Sequence, residues 1–212
     1  MRRDRWDQLG WVMVAAIAGV LLAGAFQGAT DKQGVVDISK VVEDSDIGKA
    51  NQETFKQMKA AREGVLEFLD SYRLLTNEQA QRLRDLSLKA TRTADETAEL
   101  DRIKAEVIAS SKKYAELGGK PSLTPDERTL MDDYTKRGQV MEQVGQRWFR
   151  EFTAEMQGWA DKQKASSLDL ARKSVQEVAK AQGFSIVFEA GIAPYGSNDL
   201  TASALQAMNA KK

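Results

Sequence analysis

The chain has 212 residues, with 31 basic and 31 acidic side chains, no histidine and no cysteine. A net charge near zero excludes a nucleic-acid binder that works through bulk positive charge. The missing His and Cys remove the commonest general base, the thiolate nucleophile and most zinc, copper and haem ligand sets.

At the N-terminus, "MRRDRWDQ" is followed by "LGWVMVAAIAGVLLAGAF", a charge-free stretch over residues 9–26. Ala23-Gly24-Ala25 fits a small-residue cleavage site, with cutting after Ala25. The whole uncharged run, residues 8–30, is also long enough to cross a bilayer core of ~30 Å. A cleaved leader and a retained membrane anchor both stand at this point, the anchor bringing residues 9–26 into contact with the membrane. Either way the remainder of the chain is expected outside the cytoplasm, and the lack of cysteine suits an oxidising compartment.

"GVVDISKVV", residues 34–42, is β-branched, short and bounded by glycine, and reads as a strand. From residue 48 the pattern changes. Met58, Ala61, Val65, Phe68, Tyr72 and Leu75 step by three and four, the seam of a coiled coil, with Phe55, Leu66 and Leu69 beside it. "GGKPSLTP", residues 118–125, is a reversal. Gly caps the end of one leg, Thr124 is an N-cap, Pro125 takes the first helical position and Glu127 completes a capping box. On the return leg Tyr134, Met141 and Trp148 are seven apart, as are Phe152 and Trp159, with Val144 and Met156 alongside. A helical hairpin with a narrow apolar stripe is expected.

A short repeat sits in this region. "TNEQAQRL" from Thr76, "TADETAEL" from Thr93 and "TPDERTLM" from Thr124 each place an acidic residue two on and an apolar residue seven on. Each has the form of a helix start, although Thr76 and Thr93 also fit mid-helix positions. The first leg is longer than the second, and a break near Thr76 or Thr93 absorbs the surplus. Gly138 and Gly145 share a face and allow close helix approach or bending; each costs about 1 kcal/mol relative to Ala.

"GFSIVFEAGIAPYGSNDLT", residues 183–201, returns to strand and turn. Phe184, Ile186 and Phe188 alternate with Ser185, Val187 and Glu189. A lone strand cannot satisfy its backbone, and a two-stranded pair is marginal in water. The two end strands must therefore pair and pack on helices, or build a sheet with other copies of the chain.

Two readings apply to the cluster of Trp148, Phe149, Phe152, Met156 and Trp159. It packs against Phe55, Met58, Val65 and Phe68 at matching height, or it is an adaptable apolar surface that grips clients. Met141, Val144, Trp148, Phe152, Met156 and Trp159 are the client-binding candidates. Asp132-Asp133 and Asp95-Glu96 read as solvated charge, and "GGK" at residues 118–120 lacks the rest of a phosphate-binding loop. No catalytic residue, metal or cofactor is expected.

The two ends together resemble the OmpH/Skp family of periplasmic chaperones. "GVVDISKVVEDSDIGKANQETFK" is similar to the family's opening strand, its V-D-x-x-x-V element and the entry to the first arm helix at Gly48-Lys49. The closing pattern is matched by Val187, Ala190, Tyr195, Asp199-Leu200-Thr201, Leu205 and Asn209. The resemblance implies an α+β, mainly α fold: a long antiparallel helical hairpin, or tentacle, on a small β-body built from N- and C-terminal strands of a homotrimer. Its parts are a signal peptide or membrane anchor at 1–30, a body strand in 31–47, the hairpin arm at 48–182 with its tip near 118–125, and the closing strand and helix at 183–212. The terminal strand is expected to pair with residues 35–39 and with neighbouring copies. Val36, Ile38, Ile186, Phe188, Tyr195 and Leu200 are the body and trimer candidates. The function implied is an ATP-independent holdase for unfolded outer-membrane proteins, held in a cavity between the arms. The family's arms are basic whereas this chain is charge-balanced, and Pro194 removes a donor from the last segment, which should lie at an edge or bend. The alternative reading is a membrane-tethered coiled-coil spacer of the cell envelope.

Overall fold

The computed structural model describes residues 32–211. The leader or anchor expected at residues 9–26 lies outside them, and among the described residues no helix is long and apolar enough to cross a membrane. The fold is α+β and mainly helical. Its elements run β1 (Gln33–Val36), α1 (Ile38–Asp44), α2 (Asp46–Ser71), α3 (Asn77–Ser87), α4 (Ala94–Gly118), α5 (Pro125–Ala181), β2 (Ile186–Glu189) and α6 (Thr201–Asn209). They form two compact units, one from residues 32–45 and 168–211 and one from residues 46–167.

In the first unit β1 and β2 pair in parallel, Gln33 against Ile186 through Val36 against Glu189. The other edge of β1 is taken by the segment before α6. Val35 N–H donates to the Asn198 carbonyl at 2.8 Å, and the Val35 carbonyl accepts from Leu200 N–H at 2.8 Å. Pro194 lies in a bend between these segments. β1 ends where the sequence suggested a strand through residue 42. Asp37 accepts from Lys40 N–H at 2.9 Å and caps α1. Ile38, Val41 and Val42 stand at helical spacing, and burying Val41 on this unit's core outweighs their β preference. The partner of β2 is thus residues 33–36, and Ile38 is a helix residue rather than a strand residue.

That core contains Val36, Val41, Ala171, Val175, Ala204 and Met208, with Ile38, Val42, Leu170 and Val187 packed against it. Each large aliphatic side chain buried there contributes on the order of 1.5–3 kcal/mol. At β1 the packing requires glycine, since a Cβ on Gly34 would lie 2.4 Å from Leu200 Cδ1. At the end of α5 the chain turns through Gly183 at φ 72°. Phe184 N–H then reaches the Ala179 carbonyl at 2.9 Å and Gly183 N–H the Lys180 carbonyl at 3.3 Å, satisfying the last turn.

In the second unit the outgoing leg is broken twice. Thr76 and Thr93 both hold extended backbone and both close capping boxes. Thr76 Oγ1 accepts from Gln79 N–H at 3.2 Å, and Thr93 Oγ1 accepts from Glu96 N–H at 3.2 Å. The third repeat does the same at Thr124, which accepts from Glu127 N–H at 3.3 Å. The seam therefore stops being helical after Ser71, yet Leu74 and Leu75 remain buried from a non-helical segment. α3 turns back along α2, and α4 then runs antiparallel to α3, tied by Arg82 to Glu99 and Gln79 to Glu106. In place of a narrow stripe the four helices share a core. Val65 and Leu69 of α2, Leu83 and Leu86 of α3, Leu100, Ile103 and Val107 of α4 and Met141 to Phe152 of α5 meet in one cluster.

Candidate functional site

Two surfaces carry unsatisfied apolar area. The first is the outward face of the small sheet. Side-by-side partners in a parallel pair point to the same side, so Val35 and Phe188 share a face with Gln33 and Ile186, while Val36 and Val187 turn to the core. Ile186 is 45 % exposed and Tyr195 96 % exposed. The six body candidates thus divide. Val36 and Leu200 are buried and Ile38 packs on the core, whereas Ile186, Phe188 and Tyr195 face outward.

The polar support of this face is local. Asp199 accepts from Thr201 N–H at 2.8 Å, and the Thr201 hydroxyl in turn accepts from Asp37 N–H at 2.9 Å. The Thr201 hydroxyl and backbone N–H together hold the Asp199 carboxylate below its ordinary value. These bonds fix the chain at residues 199–201, where it enters α6.

The second surface lies in the second unit. Of the six client-binding candidates, Met141, Val144, Trp148 and Phe152 are core residues of the four-helix cluster. Met156 and Trp159 are half-buried, and Trp159 packs its ring 6.1 Å from Phe55. The packing reading of the aromatic cluster therefore describes the first four, because α3 and α4 double back and cover them. Arg84 of α3 lies over Trp148 and Phe152, with its guanidinium 5.3 and 5.1 Å from the ring centroids. It pairs with Glu151 at 2.8 Å and Glu155 at 3.5 Å, and Arg62 of α2 also reaches Glu155 at 2.9 Å. Nothing in the spacing of the sequence marks Arg84, because only the reversal of α3 brings it to α5.

Phe149 behaves differently and is 62 % exposed. It forms a wall of a groove of about 560 Å³ between α2 and α5, with Leu66, Leu69, Met141 and Gly145 also lining it. Asp70, Arg73, Glu142 and Arg150 bring charges of both signs to the same groove. The sequence places Phe149 in the aromatic cluster, and Gly145 one helical turn before it is the signal that the surface is open there.

Elsewhere the ionisable groups of this unit fasten helix starts and pair helices. A hydrogen bond from Lys89, then the Thr93 backbone N–H, hold Glu96 below the usual carboxylate range. Lys120 and then Thr124 do the same to Glu127, and Arg82 lowers Glu99. Among the described residues no group of three acidic side chains is placed to hold a metal ion. What both surfaces offer is apolar contact edged by charge.

A family model described as "Outer membrane protein (OmpH-like)" matches residues 32–208. No curated protein and no solved structure matches the chain.

Proposed function

Because the chain belongs to the OmpH-like family, whose model spans residues 32–208 of it, we propose that it is an ATP-independent holdase of the periplasm. Its clients are unfolded outer-membrane proteins, and its working form is a homotrimer. The observation that carries the reading is the extent of the family match, which takes in both end strands and every helix between them. A chaperone-type function follows from that membership.

The sheet supports the oligomeric part. A two-stranded parallel sheet with Ile186, Phe188 and Tyr195 outward is marginal by itself. Copies joined through that face bury it and cover the free edge of β2. The helices of residues 46–167 then supply the client-holding surface. Export places the chain in the periplasm, either free after cutting at Ala25 or tethered through residues 9–26.

The test is a client-aggregation assay. An outer-membrane β-barrel protein, diluted from urea in the absence of ATP, should stay soluble at stoichiometric amounts of the trimer. Unchanged aggregation at several-fold molar excess leaves the envelope spacer in its place.

A further inference from the structure

We propose that the groove between α2 and α5 is a client subsite that takes one large apolar side chain, preferably aromatic, from an uncharged stretch of unfolded polypeptide. The inference rests on the holdase reading above and names the contact within it. Three observations lead there. First, the groove has an apolar lining in Leu66, Leu69 and Met141, and Gly145 leaves it open where a long side chain would intrude. A Cβ at Gly145 would touch Leu69 Cδ2 at 3.5 Å, an ordinary contact, so the glycine is not demanded by packing. Glycine in a helix interior nevertheless costs about 1 kcal/mol relative to Ala, and the open space is what it provides. Second, Phe149 lines this space and is 62 % exposed, which leaves an aromatic ring for an incoming one to pair with.

Third, the charges decide the occupant. Asp70 and Glu142 offset Arg73 and Arg150, and Asp70 is paired with Arg73. With the two signs balanced the rim exerts no net pull on a charged segment, and the apolar lining favours a neutral one. A second copy of this chain is a poor occupant. Among the described residues of this unit, Val140 and Phe149 are the exposed large hydrophobics, far short of the roughly 800 Å² per partner that a stable interface buries. Small-molecule sites enclose most of their ligand, whereas this groove is an open trough between two helices. A weak contact of this kind, repeated in each subunit, suits grip with release.

The absence of cysteine gives a clean test. A single cysteine is placed at Gln146, beside the groove, or at Lys112, an exposed position on α4 outside it, and carries a photo-activated crosslinker. The protein is purified as it occurs in the envelope and mixed with a urea-unfolded outer-membrane barrel. The label at Gln146 should capture the barrel and the label at Lys112 should not. In parallel, Gly145→Met fills the trough with a flexible helix-favouring side chain, and Phe149→Ala removes its wall. Each should raise the chaperone concentration that half-suppresses aggregation by about three- to tenfold, the range of one aromatic contact, with circular dichroism unchanged. If the parent protein holds the barrel while the Gln146 label misses it and both variants hold it equally well, the groove inference is overturned and the holdase reading stands. Capture of another copy, or of the chain's own residues 9–26, by the Gln146 label overturns it too. A parent protein that holds no barrel removes the holdase reading and the subsite with it.

Discussion

Trp148 and Phe149 are consecutive on α5, yet Trp148 is 2 % exposed and Phe149 62 %. One helical step of about 100° carries the second ring off the four-helix core and onto the groove wall. Trp148→Ala should therefore cost about 3–5 kcal/mol as a core cavity. Phe149→Ala should stay within about 0.5 kcal/mol, the range of surface changes. Urea unfolding of the two variants measures the contrast, and equal losses would mean that Phe149 is covered.

Arg84 is held more by rings than by carboxylates. Its guanidinium lies over Trp148 and Phe152, while Glu151 and Glu155 are 39 % and 44 % exposed on their side chains. Solvent screening leaves such pairs worth little, whereas a largely desolvated stack is worth about 1–2 kcal/mol. Arg84→Ala should lose about that amount, and Arg84→Lys should recover little of it, since an ammonium lacks the planar stacking face. Glu151→Gln should cost under about 0.5 kcal/mol. A midpoint that drops steeply with added salt would reverse the ranking.

The caps at Thr76 and Thr93 allow the reversal of α3 and the start of α4. Thr76→Ala and Thr93→Ala should each lose about 1 kcal/mol, and Thr→Gly less. Because the two sites share no partner, the double variant should be close to additive. Chemical denaturation monitored by helix content checks both statements.

Stability should respond to acid in a defined direction. Lys89 lowers Glu96, Lys120 lowers Glu127 and Arg82 lowers Glu99, each from an ordinary value of 4.5. A carboxylate with a lowered folded value stabilises at any pH above its unfolded value, and that contribution is lost as pH falls through the folded value. The melting temperature should be flat through neutral pH and begin to fall near 4.5. Glu96→Gln, which keeps a side-chain acceptor for the Thr93 N–H, should flatten part of the acid limb. A rise in stability on acidification would contradict these assignments.

Ile186 tests the assembly. It is 45 % exposed in the single chain, so Ile186→Asp leaves the protomer core intact. In a trimer closed over that face the charge is buried unpaired, at several kcal/mol per subunit. Light scattering should give a trimer for the parent protein and a folded monomer for the variant. A parent monomer at micromolar concentration, or a variant that remains trimeric, would remove this face from the interface.

Local chemistry made much of this molecule legible from the residues alone. Each Thr of the repeat sits three residues before a Gln or Glu, and hydrogen bonds of that span close within one turn whatever surrounds them. Gly183 ends α5 for a similarly short-range reason. The V-D-x-x-x-V element and the closing Asp199-Leu200-Thr201 identified the family, but their physical role came from elsewhere. Asp37 turned residues 38–44 into a helix because Val41 had a core to enter. The parallel register of β1 and β2 depends on partners about 150 positions apart. Which aromatic side chains are covered depended on α3 doubling back, since burial is a property of what arrives from distant segments and not of the residue that is covered.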